Sequence, residues 1–192
     1  MTSGARLRLA AALAAGLAAG GALAAEHIAR FTAFAVDTSN ATSRTRAGVI
    51  EITIDRWSTD QDRDQLLAAL RESGSDGLLK ALQKIKDPVG YIRTPESIGY
   101  PLRFAREVPN AEGGKRVIVA TDRPIGFLEA TRRPRTFDYP FMIVDLRIDA
   151  KGEGQGKLMP LARITANDEH VVEIENYANE PVRLTQVKQA SK

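Results

Sequence analysis

Phe141-Met142-Ile143-Val144-Asp145-Leu146-Arg147-Ile148-Asp149 is the stretch on which the fold turns. Met142, Val144, Leu146 and Ile148 fall on one side of an extended chain, and Asp145, Arg147 and Asp149 on the other. A two-residue period of this kind marks a strand with one buried and one wet face. The pattern recurs in 49–57, where Ile50, Ile52 and Ile54 oppose Glu51, Thr53 and Asp55. Further on, Val172, Ile174 and Asn176 oppose Glu173, Glu175 and Tyr177, while Val182 and Leu184 oppose Arg183 and Thr185. Less regular candidates cover 28–36, 89–94, 101–108, 116–121 and 157–165.

The intervening residues suit hairpins. Asn110-Ala111-Glu112-Gly113-Gly114, Lys151-Gly152-Glu153-Gly154-Gln155-Gly156, Asn167-Asp168-Glu169 and Ala178-Asn179-Glu180-Pro181 are rich in residues that accept tight-turn backbone angles. Strands over 141–149, 157–165, 170–177 and 182–188 therefore read as an up-and-down meander. One helical insertion, about 59–86, interrupts the strands. Ser58 or Thr59 caps it, with Gln61 or Asp62 three residues on. Leu66, Leu67 and Leu70 form one apolar face, Gly74 supplies a stop, and Leu78, Leu79, Leu82 and Ile85 form a second face before Asp87-Pro88. The expected fold is mainly β with a small α part: an antiparallel curled sheet or barrel of 8–9 strands with an inserted helical hairpin. An open sheet of that size would leave long unpaired edges, which favours closure into a barrel over a sandwich.

Residues 1–24 read as a secretory signal peptide. Arg6 and Arg8 precede an apolar run from Leu9 to Gly21, and Ala22-Leu23-Ala24 offers the small–x–small pattern for cleavage. A retained anchor helix is the alternative, but the run is short for a bilayer and poor in bulky side chains. The remaining 25–192 would be a single β-rich domain, exported to the periplasm or beyond, with no transmembrane segment once the signal is removed. Taking Arg6 and Arg8 from the 27 basic residues leaves a surplus of one over the 24 acidic ones. That near-neutral balance argues against bulk attraction to nucleic acid.

The chain has no cysteine and two histidines, His27 and His170. Disulfides, thiol nucleophiles, Fe–S clusters and three-histidine metal sites are thereby excluded, and no metal or cofactor is expected. Asp60, Asp62 and Asp64 have carboxylate spacing, but the positions where an EF-hand needs Gly and Glu hold Gln65 and Arg71. Gly152-x-Gly154-x-Gly156-Lys157 precedes a strand, whereas phosphate loops precede helices. Glu173 and Glu175 lie about 6.6 Å apart on one strand face, a spacing open to a glycosidase pair, yet Arg163 or Arg183 on a neighbouring strand would pair with them as readily. His170, beside Asp168 and Glu169, reads as a turn residue, and no Gly-x-Ser-x-Gly elbow follows the signal.

The most informative stretch is 122–140, DRPIGFLEATRRPRTFDYP. It has no clean period and is long for a plain connection. Arg123, Arg132, Arg133 and Arg135 stand there with Phe137, Asp138 and Tyr139, a composition that grips anions or protein surfaces. Internal ion pairs locking the segment over a barrel end are the competing reading. Three phrases, TDRPIGF at 121–127, RPRTFDYP at 133–140 and EIENY at 173–177, resemble segments of small exported bacterial proteins of unknown function. The resemblance implies export and a bacterial host, and brings no site residue.

The sequence thus leads to a non-enzymatic module that binds a small amphipathic or anionic ligand, or a cell-envelope protein. Arg123, Arg132, Arg133, Arg135, Phe137, Asp138 and Tyr139 would supply the grip, and the interior of the curled sheet the apolar contact. The rivals are an enzyme using carboxylates and arginines on an anionic or sugar substrate, and a purely structural interaction domain.

Overall fold

The computed structural model describes residues 27–37, 46–95, 97–110, 113–123, 141–159, 162–166, 172–176 and 182–190. Alternation of apolar and polar residues produces β1 (Ala29–Asp37), β2 (Arg46–Ile54), β3 (Gly90–Arg93), β4 (Tyr100–Pro109), β5 (Lys115–Thr121), β6 (Ile143–Ile148), β7 (Glu153–Met159), β8 (Ala162–Ala166), β9 (Val172–Asn176) and β10 (Val182–Gln189), with one helix, α1 (Asp60–Lys84), between β2 and β3. Eight strands close into an antiparallel barrel in the order β1-β10-β7-β6-β5-β4-β3-β2, with β2 returning to β1. Closure removes the sheet edges, the physical reason for expecting it.

The expected meander is interrupted. After β7 the chain leaves the barrel, pairs β8 with β9 as a separate two-stranded ribbon, and re-enters as β10 against β7. The candidate strand over 157–165 is therefore the end of β7 and most of β8. The loop expected over 151–156 is shorter too, because β7 begins at Glu153. Gly154 and Gly156 are strand residues whose missing side chains let β6 come close. A Cβ at Gly154 would collide with the Arg147 carbonyl oxygen, and one at Gly156 would lie 2.6 Å from that of Asp145. A bulge at Thr185 and Gln186, the latter at φ 50°, keeps both Leu184 and Val187 inside.

The inward side chains form one apolar core. Phe31, Ile52, Ile54, Leu102, Leu146, Ile148 and Leu184 are each less than 2% exposed and belong to one continuous core. Small residues make room for the large ones: Ala33 and Ala35 on β1 and Ala105 on β4 also face inward.

α1 packs outside the barrel. Leu66, Leu70, Leu78 and Leu82 meet Phe104, Ile118, Ala120, Ile143 and Met159, the outward apolar residues of β4–β7. Burying four leucines this way contributes about 1.5–3 kcal/mol each. Thr59 caps the helix: its hydroxyl accepts from the Asp62 N–H at 3.1 Å, and the Asp62 carboxylate accepts from the Thr59 N–H at 2.8 Å. Non-helical angles at Ser73 and Gly74 divide α1 into two segments. A Cβ on Gly77 would strike the Ala69 carbonyl oxygen. Eight residues of straight helix span about 12 Å, so that approach requires the second segment to fold back on the first. The hairpin is thus made within one helical element, without a loop. β8 lies beside this helix.

Candidate functional site

The rim where β5 ends and β6 begins carries the root of segment 122–140. Thr121 is buried and ties the two ends together. Its N–H donates to the Met142 carbonyl at 3.0 Å, its hydroxyl accepts from the Met142 N–H at 3.2 Å, and the hydroxyl donates to the Arg123 carbonyl at 2.6 Å. Beside it, the Arg103 guanidinium donates to Asp122 Oδ2 at 3.0 Å and to the Ile85 and Lys86 carbonyls at 2.8 and 3.0 Å. Those carbonyls follow the end of α1, where a cation is favoured. The Arg103 and Asp122 side chains are only 14% and 11% exposed. A pair this enclosed survives desolvation only when its remaining hydrogen-bonding capacity is used. Arg103 meets that condition. Asp122 meets it on one oxygen: Oδ1 accepts no hydrogen bond among the described residues, and Arg123 Nε stands 3.7 Å away.

Arg103 was not among the residues singled out from the sequence. No pattern marks it there, because its partners come from the residues just after α1 and from the end of the neighbouring strand β5. Of the residues that were singled out, Arg123 lies on the rim with its side chain 57% exposed. Arg132, Arg133, Arg135, Phe137, Asp138 and Tyr139 lie outside the described residues, as do residues 1–24 and His170. Glu173 and Glu175 fall at alternate positions of β9, and Glu175 is in register with Arg163 of β8. The acids at the start of α1 have structural partners. Asp60 pairs with Arg106 at 2.7 Å, Asp62 forms the cap, and Asp64 meets Arg63 at 2.7 Å. Hydrogen bonding to Arg106 holds Asp60 below the usual carboxylate range, and hydrogen bonding to the Thr59 backbone does the same for Asp62.

At the opposite end of the barrel, the β4–β5 and β6–β7 turns border an open groove of about 330 Å³ with Glu107, Lys115, Asp149 and Gln189 on its walls. β5 separates it from the rim by seven residues, about 20 Å. Its polar groups are engaged with one another. Lys115 Nζ meets Glu107 at 2.9 Å and stands 5.9 Å above the Phe31 ring. Asp149 Oδ1 accepts from the Lys151 and Glu153 N–H groups at 2.8 and 2.9 Å, which fixes the β6–β7 turn. At the same end His27 Nδ1 contacts Asp55 Oδ1 at 2.5 Å and pins the start of β1 to the end of β2. Among the described residues these contacts cross that end of the barrel.

Comparison with protein-family models, with curated proteins and with solved structures finds no match to this chain.

Proposed function

We propose that the protein is an exported, non-catalytic β-barrel module that engages a cell-envelope protein through the arginine and aromatic side chains of segment 122–140. The observation that carries the reading is the rigid root of that segment. Thr121 and Met142 bind its two ends together, and the Arg103–Asp122 clamp joins its first residue to α1. Long loops that spring from a well-tied scaffold are disproportionately where binding residues stand. The packed core supports recognition on the surface over a small amphipathic guest inside the barrel. Export rests on the charged, apolar and small-residue regions of residues 1–24.

A photo-crosslinking residue at Phe137, with one at Thr32 on the opposite wall as control, tests the reading in the native host. A discrete protein adduct is expected from position 137 alone. It should vanish when Arg132, Arg133 and Arg135 are all changed to Glu, with the melting temperature within about 2 °C of the parent. Equal labelling from both positions overturns the proposal, and a large fall in melting temperature in the triple variant shows a structural lock instead. Intact mass of the exported protein should correspond to a chain beginning at Ala25.

A further inference from the structure

The outer wall of the barrel beyond the patch that α1 covers on β4–β7 carries cations that the fold itself does not need. Elsewhere on the wall, charge is compensated. Glu51 bridges Arg30 and Arg93 at 3.4 and 2.9 Å, and Glu153 stands 3.8 Å from Lys188. Across β5, β6, β7 and β10 the pattern changes. Arg116 is directly opposite Arg147, and Lys157 is directly opposite Arg183. Like charges at directly opposed positions of an antiparallel pair are destabilising, and here two such pairs occur on adjoining strands. The one carboxylate among them, Asp145, is in register with Lys157 but is held on both oxygens by Arg116 at 2.9 and 3.0 Å. Arg147, Lys157 and Arg183 are exposed and make no ion pair among the described residues.

Four cations around one acid leave a net charge of +3 on a strip three strand spacings wide, about 14 Å. The chemistry of the strip decides among anionic partners. Of the exposed large apolar side chains of the described residues, Val49, Tyr91 and Ile98 lie on or next to β2 and β3, while Val108 and Phe34 border the strip, opposite Arg116 and Thr185, and none stands within it. A protein partner calls for an apolar or aromatic centre to the contact, and a single-stranded nucleic acid for stacking platforms. A bilayer is a poor match for a convex barrel wall that has nothing to insert. A linear, flexible, polar chain with regularly spaced anionic groups fits a narrow convex row of cations.

We propose that the β5–β6–β7–β10 wall binds an acidic polysaccharide, with Arg147, Lys157 and Arg183 as its free contacts and Arg116 held in place by Asp145. This surface is distinct from segment 122–140, and the inference stands without the reading given to that segment. Bound anions would relieve the cross-strand repulsion, so occupancy and stability are coupled.

A heparin octasaccharide is the probe, titrated into the protein lacking residues 1–24 at low and moderate salt. Binding should weaken with salt, as counterion release requires, and Arg147→Gln or Lys157→Gln should each reduce affinity about fivefold and the salt slope by about one. The same substitutions should raise the melting temperature of the free protein by about 2 °C, since each removes one like-charge pair. Arg183→Lys should keep most of the binding, and Lys80→Gln, on the exposed face of α1, should change neither quantity. Absence of heparin binding at low salt overturns the proposal, as does equal loss in Lys80→Gln. Tighter binding of single-stranded DNA or of phosphatidylglycerol vesicles than of heparin overturns the assignment to a glycan.

Discussion

Ser58 shows how a single side chain completes the barrel. β3 has only four residues, so the lower half of β4 lacks a full-length neighbour. Ser58 takes the place of that missing strand: its N–H donates to the Ala105 carbonyl at 2.7 Å, and its hydroxyl accepts from the Ala105 N–H at 3.1 Å. Ser58→Ala would strand a buried N–H, at a cost of about 1–3 kcal/mol. Thermal denaturation should show a fall of about 3–10 °C. Asp62, three residues after the cap, gives a pH-dependent counterpart. Its folded-state pKa is depressed, chiefly by the Thr59 backbone hydrogen bond. The stability it contributes is therefore complete above about pH 5 and is lost as acidification protonates the carboxylate. The difference in melting temperature between the parent and Asp62→Ala should be largest near neutrality and should shrink as the pH falls below the usual carboxylate range. The sequence offered Ser58 and Thr59 as equal candidates for the cap. Their difference is tertiary, since only contact with Ala105 commits Ser58 elsewhere.

At the scale of elements, β7 was the hardest strand to read, and its glycines explain why. Alternation is visible when inward positions are apolar, as in β6. In β7 the inward positions nearest its start are Gly154 and Gly156, and the same stretch resembles a flexible loop. What glycine supplies there is space for the backbone of β6. Gly154→Ala would force Cβ onto the Arg147 carbonyl oxygen, with no flexible side chain to yield. A loss of about 3 kcal/mol or more is expected, and thus a fall near 10 °C in calorimetry. Gly113→Ala, in a turn with open space but φ 84°, should lose only about 1–2 kcal/mol. A larger effect at Gly113 would refute the close approach of β6 and β7. The departure of β8 and β9 from the barrel was illegible for another reason. Alternation reports that a segment is extended with two unlike faces; it does not report which sheet the segment joins. The helical hairpin was legible because its signals are local: a cap, two leucine faces and a glycine between them. The opposed cations of the lower wall could be seen on the polar faces of single strands, but their pairing depends on register.

At the scale of the whole molecule, the inner surface of the barrel is lined by one continuous cluster of buried apolar side chains. Alternation and turns made a closed sheet legible, and a closed sheet suggested a container. Eight strands, however, give an interior that side chains can fill. Phe31 is fully buried and stands beneath the Lys115 ammonium, which is itself held by Glu107. The ring is thus both core and stopper, and it offers a direct test of a solid barrel. Phe31→Ala removes a large buried side chain that rigid strands cannot collapse around, at a cost of about 3–5 kcal/mol. The melting temperature should fall by about 10 °C or more. The vacated space would be apolar and dry, the kind of cavity that takes up a small aromatic guest. Benzene or indole should therefore raise the melting temperature of Phe31→Ala while leaving the parent unchanged, because only a state with room can be stabilised by occupancy. Stabilisation of the parent by benzene or laurate would mean that its interior already admits guests. Recognition would then belong inside the barrel, and neither the rim nor the cationic wall would be needed to account for binding.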